Sequence, residues 1–306
     1  MKKKTIEKIL NNKFDSFVKS IVDEKVKELV KSGTIITGGC IASMFLQEDV
    51  NDYDLYFKDL ETAKAVAEYY VDVFKKNKKD RNVNNKCKSM MVVVEDGRVR
   101  IMIKSSGVES ETTENKDYAY FEQLDPGNPQ QDEFIENALE FEKDRKSKKS
   151  EYKPIFLTSN AITLSDDIQL ILRFYGEPDE IHKNYDFEHV KNYWTSWNRK
   201  VVTRTEALES LLAKELKYTG SLYPICSLIR IRKFLKRGWS ITAGEIFKMA
   251  WQVSKLNLDD PKCLEDQMIG IDVAYFHELI QCLNQARKDG KDINTTYVMQ
   301  LIDEIF

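Results

Sequence analysis

The chain has 306 residues, 42% hydrophobic and 32% charged, and its 47 basic and 50 acidic side chains leave a net charge of −3. That length suits one large or two ordinary domains with a substantial core, and the charge balance gives no whole-chain signal for nucleic acid. No apolar run reaches the roughly 18 residues of a membrane span, and the basic start Met1–Lys4 lacks a following apolar stretch, so neither a span nor a signal peptide is expected. Cys40, Cys87, Cys226, Cys263 and Cys282 are scattered and odd in number. They form no zinc spacing with His182, His189 and His277 and read as reduced thiols of a cytoplasmic protein.

Ile6, Ile9, Leu10, Phe14, Phe17, Ile21 and Val22 recur at helical spacing, Val26, Leu29 and Val30 continue the stripe, and Gly33 closes it. Thr34–Thr37 is a short β-branched strand, broken by Gly38-Gly39, and Cys40–Leu46 reads as a short helix. Asp52–Phe57 alternates as a second strand, and Glu61–Lys76 is helical. Ser89–Val94 and Val99–Ile103 flank Asp96-Gly97, a hairpin signal. From Glu109 to Asp144 twelve acids face only Lys116 and Lys143. This acidic insertion, about 105–150, ends in an expected helix over Gln131–Lys146 and reads as a solvated face.

Ile155–Phe156, Ala161–Leu164, Ile168–Phe174 and Tyr185–Val190 return to strand-like runs. After Thr203 the pattern is helical: Thr205–Leu216, Leu222–Arg237, Thr242–Leu256, Cys263–Arg287 and Thr295–Ile305. Strands with helices followed by helices alone predict an α+β fold. The expected parts are a mixed-sheet domain over 1–200 and an all-helical domain over 201–306.

The stretch Gly38-Gly39…Asp52-Tyr53-Asp54 carries the chemistry. Glycines before a helix let backbone N–H groups approach an anion, and Ser43 lies on that helix. Asp52 and Asp54, two apart on a strand, point to one side. Like charges so close are costly unless a cation neutralises them, and hard carboxylates suit Mg²⁺ completed by water and phosphate. In this order the elements resemble the nucleotidyltransferase superfamily of poly(A) polymerases, CCA-adding enzymes and antibiotic nucleotidyltransferases, over about residues 34–57. The region Ile168–Trp194 also resembles bacteriophage-encoded members.

The resemblance implies two Mg²⁺ ions, with Mn²⁺ as a substitute, and transfer of a nucleoside monophosphate from an NTP with release of pyrophosphate. Gly38 and Gly39 would hold the triphosphate, and Asp52 and Asp54 the metal. The family more often has Gly-Ser, so Gly39 lacks a hydroxyl that Ser43 replaces only in part. A third carboxylate is expected on a neighbouring strand. Asp186, among the apolar letters of Tyr185–His189, is the first choice, and Asp166 and Asp167 are its rivals.

Between Arg199 and Arg237 ten basic residues face only Glu206, Glu209 and Glu215. Arg230, Lys233 and Arg237 share one helix face, which resembles the basic helix that binds nucleotide and RNA in that superfamily. The alternative is an ordinary solvated face. Trp194, Trp197, Trp239 and Trp251 are candidates for stacking a base, though most suit a core. The expected partners are NTP, held between the domains, and an RNA acceptor such as tRNA, with no membrane. Against CCA addition, Leu264–Met268 starts like the nucleotide-selecting Glu-Asp-x-x-Arg pattern but lacks its arginine. Modification of a protein, synthesis of a signalling nucleotide, and a catalytically silent binding or virion protein are the other readings.

Overall fold

The computed structural model describes residues 1–79, 90–95, 97–103, 152–157 and 160–258, with Cys263, Gln267, Tyr297, Gln300 and Asp303. The acidic insertion, the helix placed within it and the segments expected to be helical after Leu256 lie outside the described residues, apart from those few positions and Asn257 and Leu258.

In chain order the elements are α1 (Lys3–Ser20), α2 (Glu24–Gly33), β1 (Thr34–Thr37), α3 (Gly39–Leu46), β2 (Tyr53–Phe57), α4 (Leu60–Lys79), β3 (Met90–Glu95) and β4 (Arg98–Ile103). Then follow β5 (Pro154–Leu157), β6 (Ala161–Leu164), β7 (Ile168–Tyr175), α5 (Pro178–His182), a 3-10 turn (Glu188–Val190), β8 (Tyr193–Thr195) and β9 (Val201–Val202). The rest is α6 (Thr205–Ala213), β10 (Glu215–Leu216), α7 (Pro224–Lys236), β11 (Ser240–Ile241) and α8 (Ala243–Val253). The fold is α+β: a mixed sheet with flanking helices, then a helical region that also carries the short parallel pair β10–β11.

The chain divides into two compact units. In the first, seven strands run in the order β5-β6-β7-β2-β1-β8-β9, and only β2 and β7 pair in parallel. The helices cover this sheet with the stripe legible in the sequence. Ile6, Leu10, Phe14 and Phe17 of α1 and Ala63, Val66 and Tyr70 of α4 join Ile36, Leu55, Phe57, Leu170 and Trp194 in one core. Burial of such side chains contributes about 1.5–3 kcal/mol each. The second unit holds α6–α8, β10 and β11, together with the excursion Asn184–His189, which the chain makes between α5 and β8.

Three expectations change. The helix expected over Thr205–Leu216 ends at Ala213, and Glu215–Leu216 pairs with Ser240–Ile241, so the described part of this region is not all-helical. The single N-terminal helix is two, because Asp23 accepts a hydrogen bond from the Val26 N–H and caps a new start, while Val22 is left exposed at the break. Tyr185–Val190 is not a strand. It is a bend with one isolated bridge, Phe187 to Tyr218, followed by the 3-10 turn. Its alternation comes from Phe187 and His189 packing into an aromatic cluster with Phe234 and Trp239, not from a ladder.

Candidate active site

β1 is buried at all four positions and lies inside the sheet, so its end is held firmly. Gly38 follows at φ +95° and ψ −153°, a conformation that side chains rarely adopt, and turns the chain into α3. Its N-cap is a glycine, so the capping position supplies no side-chain acceptor. The first N–H groups of a helix have no acceptor within it, so those of α3 stand at the strand end with a positive dipole behind them. A Cβ added to Gly39 would meet nothing within 4 Å. Ser43 lies one turn further in, half-buried.

The carboxylates arrive from β2. Thr37 pairs with Asp54, so the last residue of β1 is in register with the second aspartate. Asp54 is half-buried and Asp52, just before the strand, is exposed. Both bear on the first turn of α3: burial pushes the Cys40 thiol well up, and Asp54 and Asp52 push it further in the same direction. Glycine turn, helix start and Asp-x-Asp strand are thus brought together.

The strand beside Asp54 is β7, where Gln169 is the register partner. Immediately before β7, Asp166 and Asp167 form the turn from β6, both at positive φ, which short polar side chains tolerate best. The Tyr53 N–H donates to the Asp167 carbonyl at 2.6 Å. Lys13 donates to the Asp166 carbonyl, with its ammonium 4.9 Å from the centre of the Tyr53 ring. Burial raises the Tyr53 hydroxyl to about 12, helped by Cys40 and Asp167.

Asp186 is in neither strand that neighbours β2. It belongs to the second unit, is buried, accepts from Ser227 at 3.1 Å and forms an ion pair with Arg230. Two residues singled out for separate roles therefore neutralise each other. Lys233 and Arg237 lie on and just after α7, exposed and half-buried. Trp194 and Trp239 are core residues, whereas Trp197 and Trp251 are exposed.

Among the described residues no three His, Cys, Asp or Glu side chains converge to hold a metal ion. The donor set offered at β2 is a pair of carboxylates, one on the strand and one just before it, which fits Mg²⁺, an ion that keeps water and takes substrate phosphate as its remaining ligands. Sequence reasoning missed His182. Its Nε2 lies 2.8 Å from Thr37 Oγ1 beneath the glycine turn, and no spacing in the sequence links positions 37 and 182.

Among solved structures, a CCA-adding enzyme with CTP superposes at TM-score 0.41 and 12% identity, over 98% of this chain and 62% of that one. The Bacillus stearothermophilus CCA-adding enzyme in complex with CTP gives 0.33 and 8%, over 81% and 47%. The Thermotoga maritima CCA-adding enzyme complexed with tRNA gives 0.37 and 10%, over 94% and 65%. The chain spans about half to two-thirds of their length, and superposition at this level carries no functional weight. No curated protein matches the chain. No described helix is long and apolar enough to cross a membrane. One family model, described as Gad2, Gabija anti-defense 2 family protein, matches residues 8–214. With well over half its length matched, the chain belongs to the Gabija anti-defense 2 family.

Proposed function

We propose that this protein is a metal-dependent nucleotidyltransferase, which transfers a nucleoside monophosphate from an NTP to an acceptor hydroxyl. The observation that carries the reading is the register of Thr37 with Asp54. It sets an Asp-x-Asp strand beside a strand that ends in a glycine turn and an open helix start. The first-turn amides of α3 would hold the triphosphate, with Ser43 as a further donor. Asp52 and Asp54 would hold Mg²⁺ or Mn²⁺, which when bound neutralises charge on the phosphates and polarises them. The acceptor oxygen attacks the α-phosphorus and gives up its proton to solvent water. The bond from the α-phosphorus to the bridging oxygen breaks, and pyrophosphate leaves with the electron pair.

For the third carboxylate we favour Asp167 over Asp186, because Asp167 precedes the strand that pairs with β2. Lys233 and Arg237, in the second unit, are proposed to meet phosphates of an RNA acceptor. Arg230 contributes less than the sequence implied, since Asp186 takes up its charge. The test is incubation of the purified protein with each labelled NTP and Mg²⁺ or Mn²⁺, with and without total RNA. Label transfer that is lost in Asp54→Asn supports the reading, and no metal-dependent NTP binding by calorimetry removes it.

The family description favours a second reading of the acceptor. We infer that a protein of an anti-defence family could act on a component of that defence, in which case the modified hydroxyl would be on a protein. Adding Gabija components to the same assay in place of RNA separates the two acceptors.

A further inference from the structure

We propose that His182 is a positioning residue for the nucleotide turn, acting through the Thr37 hydroxyl; this rests on the nucleotidyltransferase reading. Thr37 Oγ1 lies 2.8 Å from His182 Nε2, 3.0 Å from the Asn192 carbonyl and 3.5 Å from the Val190 carbonyl. A hydroxyl has one proton and carbonyls only accept. The Thr37 proton therefore goes to the Asn192 carbonyl, and the remaining contact has the Nε2–H of His182 donating to Thr37 Oγ1. That assigns the tautomer. Burial, with Arg204 and Lys191 nearby, holds the imidazole neutral by lowering it to about 3.

The position of this contact gives it a role beyond packing. Thr37 is the last residue of β1, paired with Asp54 on one side and Tyr193 on the other. The next residue, Gly38, donates its own N–H to the Val190 carbonyl at 3.2 Å. So the hydroxyl and the following amide grip the same segment, 190–192, and His182 grips the hydroxyl. The chain leaves the first unit just after His182 and re-enters it at Val190. Both ends of that excursion are thus fastened at the residue before the glycine turn.

A buried Thr–His contact also costs desolvation, and Val with an apolar partner would fill the same space. The polar choice fixes an orientation. It holds Gly38 at its positive φ, and so aims the open amides of α3 relative to Asp54.

Three variants test this: His182→Leu, His182→Gln, whose amide can still donate, and Thr37→Val, which keeps the shape. Two readouts are taken on folded protein: amide exchange at Gly38 in the absence of ligand, and Mg²⁺–NTP affinity by calorimetry. For His182→Leu and Thr37→Val, Gly38 exchange should rise and NTP affinity should fall, each by about 10-fold. His182→Gln should stay within about 3-fold of wild type in both. Unchanged exchange in His182→Leu, or a His182→Gln protein no better than His182→Leu, overturns the proposal and leaves His182 a core residue. A wild-type protein that binds no NTP overturns the nucleotidyltransferase reading instead, and the exchange comparison alone then decides whether His182 fixes the turn.

Discussion

Asp54 and Asp186 look alike in sequence, each an acid set among aromatic and apolar letters, yet their surroundings are opposite. Asp54 is half-buried on a strand, in register with Thr37 and close enough to the start of α3 to act on Cys40. Asp186 is buried in the other unit with an arginine and a serine hydroxyl as its partners. A buried acid needs a compensating group. At Asp186 that group is the Arg230 side chain; Asp52 and Asp54 lie two apart, just before and on β2, where under the proposed function a bound cation would offset their like charge. An acid in an apolar context therefore does not say in the sequence what compensates it, as the Arg230 partner of Asp186 shows.

The largest effect that tests this contrast is on transfer. Asp52→Asn and Asp54→Asn should each lower it by at least about 100-fold while leaving the fold intact. Asp167→Asn should lower it by about 10-fold or more, and Asp186→Asn should spare the chemistry of any molecules that remain folded. Rates measured on folded protein at saturating metal decide the matter. A loss with Asp186→Asn as large as that with Asp54→Asn would return Asp186 to the catalytic set.

Stability should show the reverse. Removing one member of a buried ion pair strands the other. Since the Arg230 side chain is 39% exposed against 8% for Asp186, the penalty is reduced by solvent. Asp186→Ala should cost about 2 kcal/mol, and Arg230→Glu should cost at least as much by placing two acids together. Asp54→Asn, which keeps the volume at a half-buried strand position, should change stability by about 1 kcal/mol or less. Urea denaturation of these proteins, with the Asp186→Ala/Arg230→Met double variant and its Arg230→Met parent closing a cycle, measures the coupling directly. A coupling near zero would mean that Arg230 is not the group that compensates the burial of Asp186.

What the sequence made legible follows the same line. The hairpin through Gly97, the strand Thr34–Thr37, the helix after Gly39 and the strand through Asp54 are local patterns, and each is present. The run through Asp186 reads as a strand because alternating burial in an aromatic cluster imitates the period of a ladder. β8 and β9, of three and two residues, are too short to show a period at all. That Asp167, not Asp186, stands beside β2 depends on the parallel pairing of β2 with β7, a long-range fact no local pattern contains.

A smaller effect concerns two buried histidines among the described residues, His182 in the first unit and His189 in the second. Burial lowers both His182 and His189 to about 3, and Arg204 for the first and Arg237 for the second push the same way. In the unfolded chain a histidine titrates near 6.5. Between those values the unfolded chain holds more protons, so the stability present above about pH 6.5 is lost as pH falls. Melting temperatures from pH 7.5 to 4.5 should drop. His182→Gln and His189→Phe should each flatten the slope by up to about one proton. An unchanged slope in both would mean that carboxylates account for the acid sensitivity.

The smallest effect separates two adjacent glycines. Gly38 is buried at φ +95°, where any side chain is strained at roughly 1–3 kcal/mol, so Gly38→Ala should destabilise the protein and distort the turn. Gly39 is exposed, opens α3, and an added Cβ there meets nothing within 4 Å. Gly39→Ser should leave stability within about ±0.5 kcal/mol and return the hydroxyl that the resembling superfamily more often has. If the α3 amides hold a triphosphate, that hydroxyl adds one donor beside them, and NTP affinity should rise by about 3-fold to 10-fold. Calorimetry on the single variant is sufficient. Tighter binding supports a phosphate at this helix start, whereas weaker binding with unchanged stability would mean the bare backbone of Gly39 is itself what the ligand contacts. No change at all would place the phosphates elsewhere and leave Asp52 and Asp54 as the only part of the motif with a role in binding.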